Sequence, residues 1–337
     1  MTGHPLLCAA TRSPDSLQAG GAATLPSPAL DRTGLRVYFL LSLSSLMPVT
    51  LLDVQPGMSV LDLCAAPGAQ SLALSHLLWA TPTATAADPS HNASPAAPTI
   101  SRGSGGRLVS NEVDAHRRSK LQRMLVDHVP PELLENGLTT TGHDAHKYWQ
   151  RQEADTYDRV LVNAPCSSHR QVVQQAARDG RAGAVGGQWS LPACQTAAAL
   201  QVQLVCAGLR ALKVGGRLVF STCSMCPLEN DDVVQRVLQR FSPESLSMLP
   251  PSGEGLQLSS QLGGEATKHG VMVLPDRGGW GPVYAAVFEK TSSLVLRMQP
   301  VQLLSVELTD SEEEEEGFEG SGVNGNDNDG AGSVVPE

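Results

Sequence analysis

Two cysteines stand where short β-rich runs break off. Residues 158–163 lead into Ala-Pro-Cys166, and residues 217–221 lead into Thr-Cys223. A thiolate adds to electron-poor carbon, and two thiols at neighbouring strand ends can divide a covalent cycle between them, one opening it and the other helping to close it. The remaining cysteines, at 8, 64, 194, 206 and 226, follow no disulfide framework, and seven is an odd number in a chain too long to need staples, which fits a reducing compartment. Cys8, Cys194 and Cys206 read as small buried hydrophobes. The solitary Cys223-Ser-Met-Cys226 lacks a second pair, and His143, His146 and His169 show no ligand spacing, so no metal site is expected.

Such cysteines act together only if a scaffold holds them. Residues 58–63 read as a strand, Cys64-Ala-Ala-Pro-Gly-Ala-Gln70 as a small-residue loop and residues 71–79 as a helix, which is the first unit of a nucleotide-binding α/β sheet. Further strands are predicted at 107–110, 138–141, 159–162 and 217–221, with a basic helix over 115–129 and a long apolar-striped helix over 191–212 stopped by Gly215-Gly216. Residues 34–46 read as a helix ended by Pro48, and residues 271–274 and 283–288 as an antiparallel edge hairpin. The expected fold is α/β and Rossmann-like, a mostly parallel seven-stranded sheet with that hairpin at its edge.

The flanks differ from this body. The 337 residues carry a net charge of −10, but residues 307–337 hold 11 acidic and no basic side chains, leaving 24 basic against 23 acidic elsewhere. The expected organisation is a leader over 1–30, one domain over 31–290 with an aperiodic Ala/Pro/Ser/Thr/Gly insertion at about 80–106, and an acidic tail over 291–337. The leader, with Asp15 as its sole acid, suits an organelle transit segment, and no apolar run reaches 18 residues, so no membrane span is expected.

Ligands in open parallel sheets sit beyond the carboxyl ends of the strands. That places Cys64, Ala65, Ala66, Pro67, Gly68, Ala69, Gln70, Glu112, Asp144, Asn163, Cys166 and Cys223 around one site. The first loop is neither a GxGxxG cradle nor a Walker A loop, whereas acids after the second and third strands suit a ribose diol and an adenine amino group. An adenosyl cofactor without pyrophosphate, S-adenosylmethionine, satisfies both. Carbon 5 of cytosine is a poor nucleophile until a thiolate adds to carbon 6, so paired cysteines beside a methyl donor point to cytosine-5 methylation. Methylation of a small molecule or a protein is disfavoured, because it needs no second cysteine.

The stretches VLDLCAAPGAQ, VNAPCSS and GGRLVFSTCSMCPLEND resemble the cofactor loop, Pro-Cys and Thr-Cys motifs of the Sun-domain RNA (cytosine-5) methyltransferases, a likeness covering about residues 34–290. DTYDRVLV, LQVQLVCAGL and GWGPVYAAVFEK are most similar to the mitochondrial branch that acts on small-subunit ribosomal RNA. The resemblance implies Cys223 as nucleophile, Cys166 as the cysteine that assists release, and cofactor contacts at residues 64–70, Glu112, Arg117, Asp144 and Asn163. It also implies a mitochondrial location, with plastid or nucleus as alternatives, and a helical-repeat protein partner for targeting, since neither an RNA-recognition signature nor an aromatic platform is visible.

Two positions depart from the family pattern: Gln70 replaces its Lys and Asn163 its catalytic Asp. An asparagine donates a hydrogen bond to the cytosine ring but transfers no proton, and lost acid-base help costs about 10²–10⁴ in rate. The expectation is compensation, a neutral Gln70–Asn163 hydrogen bond in place of an ion pair, with no unpaired buried charge. A catalytically weakened scaffold that binds cofactor or RNA in ribosome assembly is the competing reading.

Overall fold

The computed structural model describes residues 27–79, 105–172, 190–277 and 280–297. Nearly all of the expected leader, the insertion and most of the acidic tail lie outside these residues. The chain divides into a unit spanning Met1–Arg297 and a second, Met298–Glu337, which falls wholly outside the described residues.

The chain alternates strands with helices: α1 (Leu43–Leu51), β1 (Ser59–Asp62), α2 (Ala69–Trp79), β2 (Arg107–Asn111), α3 (Ala115–His128), α4 (Pro131–Asn136), β3 (Leu138–Thr141), α5 (Ala145–Tyr148), β4 (Tyr157–Asn163), α6 (Leu191–Ala211) and β5 (Leu212–Thr222). There follow a 3-10 turn at Pro227–Glu229, α7 (Asp231–Arg240), β6 (Leu246–Leu249), α8 (Gly253–Gln261), β7 (Glu265–Ala266), β8 (Val271–Val273) and β9 (Val283–Lys290). The sheet runs β3-β2-β1-β4-β5-β9-β8-β7, parallel through β5 and antiparallel beyond it. Strand order reverses between β1 and β4, the position where open α/β sheets bind ligands. The fold is Rossmann-like, as expected, but the sheet has nine strands among the described residues rather than seven. β6 and β8 lie end to end along one side of β9, so β9 is interior and the expected hairpin does not form a simple edge.

Both faces of the sheet are covered, which explains why its strands read as nearly continuous apolar runs. Side chains alternate: Val60, Leu161 and Val219 pack toward α1, α2, α3 and α8, while Leu61, Val160, Val162, Leu218 and Phe220 pack toward α5, α6 and α7. Helix α6 lies close on β4 and β5 because Gly208 has no side chain. A Cβ there would stand 2.7 Å from Leu218 Cδ1 and 3.1 Å from Val160 Cγ1.

Three predicted helix signals are corrected. Residues 34–42 are not helical: the Asp31 carboxylate accepts from the backbone of Thr33 and Leu35, closing a turn, and α1 begins only at Leu43. Pro48 lies inside α1 rather than ending it, and Leu52 N still donates to its carbonyl at 3.2 Å. Gly215-Gly216 does not stop α6. That helix ends at Ala211, where the buried Lys290 ammonium donates to Leu209 O at 3.1 Å, Leu212 O at 2.7 Å and Asp155 Oδ1 at 2.6 Å. A cation on the last carbonyls satisfies groups the helix leaves open. The glycines instead lie within β5, where Gly215 takes φ +78° and the register against β4 shifts. Among the described residues, no helix is long and apolar enough to cross a membrane.

Replacing Gly208 by Val forces α6 off β4 and β5. A loss of about 1–3 kcal/mol is expected from overpacking, read as a lower midpoint in chemical denaturation.

Candidate functional site

Strand ends β1, β2, β3, β4 and β5 converge on one region, and polar side chains lock them there. Asn111, ending β2, donates to Leu63 O at 3.2 Å and His143 O at 3.1 Å, and its Oδ1 accepts from His143 N and Thr141 Oγ1, both at 2.9 Å. One amide thereby fastens the ends of three strands. The His143 ring stacks on Tyr148, centroids 3.8 Å apart.

The loop after β1 turns at Gly68, with φ +114°, where a Cβ would lie 2.3 Å from Met124 Cε and 2.8 Å from Leu121 Cδ1 of α3. Glycine is required there by both backbone and packing. Arg117 Nη2 donates to Ala66 O at 3.2 Å and stands 3.3 Å from Glu112 Oε2, tying the loop to a carboxylate that is 4 % exposed. Asp144 is farther out in solvent, where its oxygens pair with His146 Nδ1 and Lys147 Nζ, each at 2.7 Å.

Asp62, last in β1, was absent from the sequence-derived set, although an acid inside an apolar β run is a visible signal. It is fully buried; Oδ2 accepts from Ser71 Oγ at 2.6 Å, and Oδ1 has no partner. Burial pushes its carboxyl up to about 7.

Gln70 and Asn163 meet. Asn163 Nδ2 donates to Gln70 Oε1 at 2.8 Å, and Gln70 Nε2 donates to Ser45 O of α1 at 3.1 Å.

Parallel pairing of β4 with β5 places Asn163 opposite Ser221, so the two following loops leave the sheet side by side. Cys166 Sγ and Cys223 Sγ come within 3.0 Å. The hydrogen bond from the Cys166 thiol, with the charge of Arg170, brings Cys223 down to about 7, while the same bond and burial push Cys166 up. Cys223 is thus the sulfur favoured as thiolate. Burial pushes the Cys64 thiol up as well, so the cysteine of the first loop is inert at neutral pH.

Beside the sulfur pair lies a hydrogen-bonded bolt whose residues the sequence reading assigned no role. Glu229 is fully buried and accepts from Ser167 N at 2.8 Å, Ser167 Oγ, Ser224 Oγ at 2.8 Å and Gln201 Nε2 at 3.2 Å. Gln201 also donates to Pro165 O at 2.8 Å. The Pro-Cys and Thr-Cys loops and α6 are thereby fixed to one carboxylate. Asn230 holds Thr222 Oγ1 at 2.6 Å and Ser224 O at 2.9 Å. His169, expected on the surface or in the core, is buried in this network: Met225 N donates to its Nδ1 at 3.2 Å, leaving the proton on Nε2, and burial lowers its basicity. Cys194 and Cys226 place their sulfurs within 4.8 Å of each other and of a Glu229 oxygen. Glu229 already accepts four hydrogen bonds, so this cluster reads as part of the bolt. Short-range spacing could not reveal it, because Ser167 and Glu229 are 62 residues apart.

A thiolate beside a thiol, an uncharged amide pair and a loop held against a buried acid can perform covalent addition to a planar base next to a bound cofactor.

Residues 102–289 match the family model described as 16S rRNA methyltransferase RsmB/F. The 5-cytosine rRNA methyltransferase NSUN4 of Bos taurus is 35 % identical over 221 residues, 65 % of this chain and 50 % of that protein. The mitochondrial tRNA (cytosine(34)-C(5))-methyltransferase of Danio rerio is 34 % identical over 267 residues, 76 % and 61 % of the two chains, and that of Mus musculus 32 % over 289 residues, 85 % and 71 %. The chain therefore spans half to about three fifths of the length of the first two relatives. The solved structure of NSun6 from Pyrococcus horikoshii with SFG superposes with a TM-score of 0.54 at 16 % identity, covering 80 % of this chain and 57 % of that one, which speaks to the fold alone. With the family model spanning more than half of the chain, and a relative above 30 % identity matched over most of both lengths, this chain belongs to the 16S rRNA methyltransferase RsmB/F family.

Proposed function

We propose that the chain is an S-adenosylmethionine-dependent RNA (cytosine-5) methyltransferase acting on small-subunit ribosomal RNA. The observation that carries this reading is the sulfur pair: two cysteines from neighbouring strand ends at 3.0 Å, with Cys223 favoured as thiolate. Cys223 adds to carbon 6 of the cytosine and makes carbon 5 nucleophilic. The bound cofactor supplies an electrophilic methyl group. A base then takes the proton from carbon 5, the C–H electrons re-form the C5–C6 double bond as the C6–S bond breaks, and the Cys166 thiol stabilises the departing thiolate by returning its hydrogen bond. Asn163 orients the base through the one amide hydrogen not committed to Gln70.

The residues present fit the cofactor. Asp62 Oδ1 is a buried carboxylate oxygen without a partner, suited to an ammonium group, and Glu112 is a buried acid at the next strand end, suited to a ribose diol. Arg117 fixes Glu112 and the loop, and Asp144 stands at the third strand end for the adenine amino group. The names of two relatives, which call them mitochondrial, support a mitochondrial location. A helical-repeat partner for finding the RNA belongs to the same proposal. One observation favours a second reading, a weakened enzyme or scaffold: the neutral Gln70–Asn163 pair offers the ring no acid.

Methyl transfer from labelled S-adenosylmethionine to small-subunit ribosomal RNA tests the proposal. Label in wild type that vanishes in Cys223→Ala, with a protein-RNA adduct accumulating in Cys166→Ala, is the expected result; no label despite cofactor binding would favour the scaffold. Asn163→Asp with Gln70 retained is expected to lower the thermal midpoint, because it buries a carboxylate beside a neutral partner. A large gain in turnover without loss of stability would contradict compensation.

Asp62 gives a pH signature. Its folded pKa of about 7 lies above the ordinary 3.8, so its contribution to stability is complete below about 4 and is lost as pH rises through 7. Asp62→Asn should therefore raise the thermal midpoint of the cofactor-free protein at pH 8 more than at pH 5. It should also diminish the stabilisation that added S-adenosylmethionine confers.

A further inference from the structure

Methyl transfer requires both sulfurs near one base, but with no base between them the two sulfurs face each other. Cys166 Sγ and Cys223 Sγ stand 3.0 Å apart as free thiols. An S–S bond is about 2.0 Å long, so closing the gap takes a shift of about 1 Å. The fold has already brought the pair together, although 57 positions separate the two residues in the chain.

The loops are restrained on both sides of the sulfurs. The residues that follow each cysteine, Ser167 and Ser224, bond to the buried Glu229 carboxylate, and their hydroxyl oxygens meet at 3.2 Å. Ahead of the cysteines Ala164 N donates to Ser221 O at 2.9 Å, and beyond them Arg170 N donates to Cys223 O at 3.3 Å. Pro165 O accepts from Gln201 Nε2 at 2.8 Å, and Cys166 O accepts from Ser168 Oγ at 3.1 Å. Neither loop carries its sulfur away without breaking such bonds. Cys166 and Cys223 are also partly open to solvent, whereas Cys194 and Cys206 are buried. Redox-sensing thiols have this arrangement, an accessible sulfur beside a second cysteine that resolves its oxidised form. In reducing compartments the disulfides that do form are mostly transient ones of this kind.

We propose that Cys166 and Cys223 form an oxidation site, at which a peroxide converts the facing thiols into a reversible intramolecular disulfide that shuts the site. One sulfur attacks an oxygen of the peroxide, the O–O bond breaks, and that thiol becomes a sulfenic acid as one water leaves. The other sulfur displaces the sulfenic hydroxyl, which takes the thiol proton and departs as a second water while the S–S bond forms. The sulfur pair loses two electrons and the peroxide gains them. A dithiol reverses the step by thiol–disulfide exchange. In the disulfide neither sulfur is available to add to carbon 6 or to assist release. That loss of activity, though not the disulfide itself, rests on the reading of Cys223 as the nucleophile.

The test treats the full reduced chain with hydrogen peroxide, blocks the remaining thiols with N-ethylmaleimide, and maps unreduced tryptic peptides by mass spectrometry. Peptides 160–170 and 218–236 should appear joined, lighter by two hydrogens than their sum, and dithiothreitol should separate them. Peptide 218–236 also holds Cys226, so Cys226→Ser is run alongside, and the link should persist in it. In Cys166→Ala the link should vanish, and Cys223 should go on to the sulfinic or sulfonic acid. In urea the pairing should scatter over other cysteines, because the unfolded chain must first close a long loop between these two. Oxidation without the joined peptides, a link that moves to Cys226, or an equal yield in urea would overturn the proposal. Methyl transfer to small-subunit ribosomal RNA should fall to background in the linked protein and return with dithiothreitol; transfer retained by the linked protein would also overturn it. The link needs neither RNA nor cofactor. Its formation in a chain that transfers no methyl group even when reduced removes the enzymatic reading and leaves the oxidation site standing, whereas Cys223-dependent transfer without a link removes the oxidation site alone.

Discussion

The register of β4 against β5 governs the site. Asn163 stands opposite Ser221, and each strand then releases a loop whose cysteine lies a few residues on, so the two sulfurs reach 3.0 Å only in this pairing. Slipping one strand by a single residue would exchange its faces, sending Val160 and Val162 away from α6 and separating the loops. The Glu229 carboxylate makes the same statement in polar terms. It accepts from both loops and from α6, and a fully buried carboxylate tolerates no vacancy among its donors. Apolar packing chooses the register, and the buried acid holds the loops to it.

The electrostatics of the site are sparing. Glu112 is balanced by Arg117, Glu229 by hydroxyls and amides, and the position between α1 and β4 carries an amide pair in place of an ion pair. Neutral pairing there leaves neither partner as an uncompensated charge. Asp62 does not fit this economy, since its Oδ1 lacks a hydrogen-bond partner among the described residues. Buried polar atoms left open in this way cluster at functional sites.

Ser45 shows how a helix outside the sheet order enters the chemistry. Helix α1 contributes apolar side chains to one core face, yet a single residue in it takes Gln70 on its carbonyl and Arg170 on its hydroxyl. The cofactor loop and the Pro-Cys loop therefore share a support that belongs to neither, and the packing of α1 is coupled to the geometry of both.

The strands were legible because a sheet covered on both faces needs short β-branched apolar runs, and the site because loops at such strand ends carried Cys, Glu, Asp and Asn among small residues. Where the reading failed, a distant side chain had displaced a local rule. Gly215-Gly216 resembles a helix stop, but Lys290, 78 residues beyond Leu212, caps α6. Pro48 resembles a helix end, but it falls within α1, which runs on to Leu51. The sequence by itself determined the α/β scaffold, the cysteine pair and the family, since these rest on periodicity and on contiguous motifs. Only the tertiary structure decided that Asn163 bonds Gln70 and that Glu229 bolts two loops 62 residues apart. Hydrogen bonds and fields depend on distance in space, which residue spacing does not encode once the chain has crossed the sheet.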